Sequence, residues 1–423
     1  MKLTGEHLVE RMSAAERARA ERVEAILPQL REQAVNVDRS GEFCRDHVKT
    51  LGDAGLLGLI IPEAYGGLGG SLRDLAAATF AIGSACPSTA LTFFFHCSAA
   101  SRGMLALEAL EAGLFDKDEA PAVERFAEKI LHTMGRDSQW LANFASESVK
   151  SEKAAITINT TARPVDGGFL VSGVKSFGCA TGVADRYLVT ANLDGYTDAS
   201  GLCTFFIDRD AEGVSEREKW DALGMRGTAT HGLILEDVFV ADEDALAIPG
   251  AFTRCMKMSR GSFVGNQLAS LACYAGAAWS VYNTTIAMLS ERTFSDTGKP
   301  IGTSPMHQQL IGEMLVDLES AMLWLRRQLE LETSEPPLLD KEQVVQRWRL
   351  CKGQVAEHGF RVATGALKCA GTSGTGNSQP YARALREMAM ALVQAFPAER
   401  GRLMAAQLEI SHDEQAQFGV KAS

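Results

Sequence analysis

The residue pattern is that of a mostly α protein with a central β domain: an N-terminal helical domain over 1–130, a β-barrel-like middle domain over 131–247 and a C-terminal four-helix bundle over 248–423. Three observations carry this reading. Apolar residues recur three and four apart up to about residue 125, β-branched and aromatic residues alternate with polar ones from about 140 to 245, and longer helical periodicity returns after about 260. Helices, then strands, then long helices give one sheet between two helical blocks.

Each block follows from its segments. In the first, EFCRDHVKTLGDAGLLGL and SLRDLAAATFAIGSA have helical spacing, and IPEAYGGLGGS between them is a loop, because its glycines and proline cannot continue a helix. PSTALTFFFHCSAASRGML is apolar nearly all round, which predicts a helix buried on several sides or lining a pocket, with His96 upon it. In the middle block, ITINTTARPVDGGFLVSGVKSFG and DRYLVTANLDG alternate, and DGG supplies a hairpin turn. GLCTFFIDRD and HGLILEDVFVADED continue the pattern to seven or eight short strands. In the last block, FVGNQLASLACYAGAAWSVYNTTIAMLSER runs without a proline for a length that spans about 45 Å as a helix. Two segments of the same kind follow it.

Composition narrows the function. The chain has 423 residues, 46% of them hydrophobic and 22% charged, with a net charge of −11. Such a surface repels nucleic acid and anionic membranes, so neither is expected as a partner. No run approaches the roughly 20 apolar residues of a membrane span. The first thirty residues alternate charge at helical spacing and lack the apolar core of a signal peptide. Nine scattered cysteines without a C-x-x-C read as reduced thiols, so a cytoplasmic location is expected and neither zinc nor disulfides are.

The glycine-rich stretch GTSGTGNSQP, opening a helix at about residue 380, is suited to a phosphate: without a Cβ, backbone amides can approach it closely. A guanidinium such as Arg292 can pair with that phosphate in a bidentate manner. In chain order, LGLIIPEAYGGLGGS, WDALGMRGTATHGLILEDVFV, RTFSDTGKPIG with the following Gln308, and GTSGTGNSQP resemble successive signatures of the acyl-CoA dehydrogenase superfamily of flavoproteins. The likeness covers nearly the whole chain. It implies bound FAD, with Arg292, Gln308, Gly371 and Gly374 on the phosphate and adenosine side, where the glycine turn serves a neighbouring subunit, and hence a homotetramer. It also implies an isoalloxazine resting near Ser146, Phe177, Gly178 and Cys179. Where relatives carry Thr-Glu-Pro and Trp-x-Thr, this chain reads FASESVKS and SFGCATG.

The resemblance implies α,β-dehydrogenation of an acyl thioester on CoA or a carrier protein, with an electron-transferring flavoprotein or oxygen as acceptor. That reaction needs a carboxylate to take the Cα proton. Of the two places where relatives carry a glutamate, one is held by Ala395, counted from Arg386, and the other by Asn266 or Gln267. Glu399, one turn beyond Ala395 if the helix survives Pro397, is the nearest carboxylate, and His96 is a second candidate. The missing glutamates leave two alternatives open: a flavin-dependent monooxygenase of the same superfamily, or a non-catalytic partner subunit.

Overall fold

Six helices form the N-terminal block of the computed structural model, which describes residues 2–149, 151, 154–261, 267–411 and 416–420. They are α1 (Ala14–Ser40), α2 (Arg45–Asp53), α3 (Leu72–Ala85), α4 (Pro87–Ala99), α5 (Ser101–Glu111) and α6 (Ala120–Gly135). Their ends are written locally. Ser13 and Glu16 cap each other's backbone at the start of α1, Ser71 and Asp74 do so at α3, and left-handed Gly41 (φ 65°) ends α1. α4 is buried around nearly its whole circumference, as its apolar pattern predicts.

Among the described residues the middle of the chain forms nine strands: β1 (Leu141–Phe144), β2 (Ala154–Ile158), β3 (Thr161–Val165), β4 (Gly168–Lys175), β5 (Arg186–Leu193), β6 (Leu202–Asp208), β7 (Val214–Glu216), β8 (Leu233–Ala241) and β9 (Ala245–Leu246). Eight of them make one curled sheet in the order β7-β8-β4-β3-β5-β6-β9, with β1 added in parallel to β5. The DGG segment is the hairpin turn between β3 and β4: Val165 pairs with Gly168, and Gly167 takes the left-handed conformation at φ 75°. Central β5 is buried along almost its full length.

After the short α7 (Ala251–Met256), the bundle is built from α8 (Leu268–Glu291), α9 (Pro305–Thr333), α10 (Lys341–Ala370) and α11 (Pro380–Val393), followed by α12 (Ala398–Ser411) and a strand β10 (Ala416–Val420). Three differences from the sequence reading matter. α8 begins at Leu268, and Asn266 lies outside the described residues. α11 stops at Val393, because Pro397 cannot continue it, and Ala395 turns left-handed at φ 63°. The chain also returns to the β domain, where β10 pairs in parallel with β2.

The helical blocks meet along α3 and α8, where two glycines allow backbone to touch backbone. A Cβ on Gly83 would lie 2.3 Å from the Cys273 carbonyl oxygen, and one on Gly276 would lie 2.0 Å from that of Phe80. Gly276→Ala is therefore expected to lower stability by about 2 kcal/mol or more, since the obstruction is backbone and cannot swing aside. Gly312→Ala on α9, where an added Cβ meets nothing within 4 Å, should stabilise by roughly 0.5–1 kcal/mol through helix propensity. Denaturant unfolding of the two variants checks the contrast.

Candidate active site

Two loops of the β domain, residues 176–183 and 224–232, lie against each other. Ala180 N–H donates to Thr228 O at 2.9 Å and Thr181 N–H to Ala229 O at 2.9 Å. Both loops are strained: Ala180 (φ 62°), Met225 (φ 51°) and Ala229 (φ 46°) are left-handed without being glycine, a cost that clusters at functional sites. Cys179 Sγ sits 3.2 Å from Thr230 Oγ1, which is 2.6 Å from Thr228 Oγ1. Burial pushes the Cys179 thiol up to about 12, so it is a neutral, weak donor. Phe177 is 54% exposed, its ring edge-on to Trp220 at 5.6 Å. Next to it, Gly178 admits no side chain, since a Cβ would lie 2.1 Å from the Phe144 ring.

Beneath these loops Ser146 O accepts from Ser176 N–H at 3.0 Å, and Glu147 is fully engaged. Its carboxylate accepts from Asn159 N–H (2.7 Å), Thr160 N–H (3.0 Å), Thr160 Oγ1 (2.7 Å) and Lys175 Nζ (2.7 Å). Burial alone would raise this carboxyl, but Lys175 and Thr160 outweigh it and hold it below its ordinary value. Burial in turn brings Lys175 down to about 8.

The helical side faces the loops through Tyr274 on α8. Its buried hydroxyl donates to Gln394 Oε1, in the residue before left-handed Ala395. Burial raises the phenol well above its ordinary value, and Cys273, Cys179 and Glu387 add to the rise. The turn is braced from α10, where buried Lys352 donates to Ala391 O at 2.8 Å in the last turn of α11 and lies 5.6 Å from the Phe396 ring centroid. Glu387 lies on α11, seven residues before Gln394 in the turn that follows the helix. It is 4% exposed, and the nearest cation to it is Arg383, whose Nε lies 3.8 Å from Oε2, too far for a hydrogen bond. Burial pushes the Glu387 carboxyl up to about 7, with Arg383 and Arg386 pulling down and Asp38 adding to the rise. Tyr274, Gln394, Glu387 and Thr230 went unnoticed in the sequence; the one clue to any of them was Gln394 standing beside the aligned Ala395.

The other expected flavin contacts lie at the far end of the bundle. Arg292 caps the C-terminus of α8 and is exposed, and Gln308 is exposed on the first turn of α9. Gly371 ends α10 at φ 64° with open space where a Cβ would be, whereas a Cβ on Gly374 would lie 2.5 Å from Ala370 and 3.3 Å from Tyr381. Arg292 acts electrostatically on Tyr381, so arginine and glycine turn share this end. An FAD fits these features: an exposed aromatic ring beside a glycine on one side, an open glycine turn with a free-standing guanidinium on the other.

Neither proton-acceptor candidate named from the sequence reaches the site. Glu399 stands on α12, beyond the break at Pro397, with its side chain 75% exposed and 3.4 Å from Arg402. His96 is fully buried and both ring nitrogens are used: Nε2–H donates to Leu57 O at 2.9 Å, and Nδ1 accepts from Leu141 N–H at 2.9 Å. It ties α4 to β1, and burial brings it down to about 4. The all-round apolar helix buried its histidine as structure.

This arrangement, a curled sheet between helical blocks with strained loops facing a buried helix, defines a class of flavoprotein oxidoreductase. Sequence models of the N-terminal, middle and C-terminal domains of acyl-CoA dehydrogenase match residues 13–111, 127–238 and 256–394, and the chain belongs to that family. It is accordingly an FAD-dependent oxidoreductase acting on CH–CH donors. A cyclohex-1-ene-1-carbonyl-CoA dehydrogenase of Syntrophus aciditrophicus is 26% identical over 359 residues, covering 84% of this chain and 80% of its own. Among solved structures, butyryl-CoA dehydrogenase from Megasphaera elsdenii superposes with a TM-score of 0.77 at 18% identity, covering 95% of this chain and 99% of its own. KijD3 in complex with FMN and a dTDP-linked amino-keto sugar superposes with a TM-score of 0.79 at 23% identity, covering 98% of each chain.

The buried histidines set the acid limit of the fold. His47, which shares a hydrogen bond of 2.7 Å with Thr89, and His96 are both brought to about 4 by burial, so the folded chain keeps them neutral. The unfolded chain takes up those protons below about 6.5, so stability falls as pH drops from there toward 4, on the order of 3 kcal/mol for each histidine. His96→Phe should lower stability at neutral pH and give a shallower acid limb than the native chain. Thermal midpoints measured against pH check both.

Proposed function

We propose that the chain catalyses flavin-dependent α,β-dehydrogenation of an acyl thioester carried on CoA or a carrier protein. The observation that carries this reading is the meeting of the two strained β loops with Tyr274 and the Gln394–Ala395 turn, in a chain of the acyl-CoA dehydrogenase family. Bound FAD supplies the hydride acceptor for Cβ. On the ring side, Phe177 offers an aromatic face, Gly178 removes the obstruction beside it, and the Ser146 and Cys179 segments form the floor. On the phosphate side, Arg292, Gln308, Gly371 and Gly374 hold the diphosphate and adenosine. The chain's own residues orient the thioester, exclude water and receive its Cα proton.

The two sides are separated by most of the length of α8. From Tyr274 to Arg292 that is about 27 Å at 1.5 Å per residue, so the phosphate side of one chain serves a flavin whose ring rests on another. A homotetramer arranged as a dimer of dimers satisfies this. The alanine at position 395 favours one further reading, a flavin monooxygenase of the same family, and the same experiment separates the two.

Anaerobic titration of the purified holoprotein with straight-chain acyl-CoA thioesters should bleach the bound flavin. Bleaching by none of them, together with oxygen consumption when reduced flavin is supplied, would select the monooxygenase. Arg292→Ala is expected to lower FAD occupancy at least tenfold at limiting flavin, through loss of a charge-assisted phosphate contact worth about 1.5–3 kcal/mol. Glu399→Gln should leave the rate of flavin reduction unchanged and shift stability by no more than about 0.5 kcal/mol. A monomeric mass by light scattering with flavin still bound would overturn the shared site.

A further inference from the structure

We infer that Glu387 is the proton acceptor of this site, standing in for the carboxylate that Ala395 cannot supply; the inference rests on the acyl-thioester reading above. The buried carboxylates of the described residues divide sharply. Asp38 is paired with Arg386, Asp74 with Arg19 at 2.7 Å and Glu147 with Lys175 at 2.7 Å, while Glu332 accepts from Gln328 at 2.7 Å. Glu387 alone among them has no hydrogen bond, although it is as deeply buried as the others. A carboxyl so largely enclosed, with no protein donor aimed at it, costs free energy that a folded protein recovers when the group has work to do.

Its position fits that work. Loop 224–232 packs directly on the Glu387 backbone, since a Cβ on Gly224 would lie 2.8 Å from Glu387 N, and the same loop carries Thr228 and Thr230 to Cys179. The groups that share its electrostatic surroundings come from every neighbouring element: Asp38 from α1, Cys86 at the start of α4, Cys273 and Tyr274 from α8, and Arg383 and Arg386 from its own helix. The thiols and the phenol are held neutral by burial and compete for no proton near neutral pH. Arg383 is close enough to favour the carboxylate and too far to occupy it. In the reaction the Cα–H bond breaks, its proton passes to a Glu387 oxygen, and its electron pair becomes the new π bond as Cβ releases hydride to the oxidised flavin.

The test compares native, Glu387→Gln and Glu387→Asp holoproteins. With straight-chain acyl-CoA thioesters, Glu387→Gln should reduce its flavin at least about 10²-fold more slowly than native, at equal FAD content and melting temperature. Glu387→Asp, which keeps the acid but withdraws it by one methylene, should fall between them. Reduction by the native protein should lose rate as pH falls below about 7. Independently of turnover, infrared titration should show a carboxyl band in the native protein that disappears as pH rises through that region and is absent from Glu387→Gln. Equal rates in native and Glu387→Gln, or an unchanged carboxyl titration, would overturn the assignment. If no thioester bleaches the flavin of the native protein, the acyl-thioester reading falls and Glu387 with it, an outcome read from the native sample alone, whereas equal bleaching of native and Glu387→Gln removes only the Glu387 assignment.

Discussion

The close crossing of α3 and α8 is the contact on which the rest of the site depends. At Gly83 and Gly276 the two helices touch through backbone, with no side chain to cushion or shift the approach. Cys273 and Tyr274 lie within that contact and inherit its rigidity: one turns its thiol to the Pro87 carbonyl at the start of α4, the other its hydroxyl to Gln394. The Gln394 turn thus takes its place from α8, and α11 is held at one end by Tyr274 and near its middle by Gly224, which packs on the Arg386–Glu387 backbone. A chain of fixed contacts runs from the helical core to the strained β loops.

Strain and burial are concentrated where that chain ends. Ala180 and Ala229 would each relax as glycine, yet each keeps its side chain and left-handed backbone because the opposing loop fixes it through a hydrogen bond, while Met225 is held within its own loop, its carbonyl accepting from Trp220 Nε1 and Thr228 Oγ1. At the other end of α8 the situation is reversed. Arg292 and Gln308 are exposed and Gly371 is open, so the tight packing around Tyr274 and the two loops gives way to an accessible surface at the phosphate side. That difference suits the two ends of a dinucleotide: a flat ring whose reaction needs water excluded, and a diphosphate whose charge an exposed guanidinium can meet.

Much of this was legible in the residues, for reasons that are local. DGG demands a two-residue turn, alternation over 140–245 demands strands, and an all-round apolar segment demands a buried helix, all decided within a few residues. The glycine turn and Arg292 could be proposed from the sequence because their chemistry is written in their own side chains or lack of them. The buried groups of the proposed site could not. Tyr274 is one aromatic among many in an apolar helix, and Glu387 lies in ALREMAMALV, which reads as any amphipathic helix with an acid on its polar face. What buries Glu387 comes from α1, α4, α8 and loop 224–232, distant in sequence. Glu399 misled for the opposite reason: its separation from Ala395 is short in sequence, but Pro397 and left-handed Ala395 redirect the chain between them.

The two glutamates of the site region show why burial by itself does not identify an acid–base group. Glu147 and Glu387 are both enclosed, and burial pushes both carboxyls upward. Around Glu147 that push is overcome by an ammonium and a set of backbone and hydroxyl donors aimed at its oxygens, which fix it as an anion and fix Lys175, β3 and β4 around it. Both of its oxygens are already engaged, Oε1 by three donors and Oε2 by Asn159 N–H. Around Glu387 the donors are missing, the arginine stands off, and a second carboxylate, Asp38, opposes ionisation. Such a group can change its protonation without disrupting the fold, because no hydrogen bond depends on its charge. The same residue type is thus a structural anion in one setting and a reversible proton holder in the other, and the deciding variable is the number of donors pointed at it.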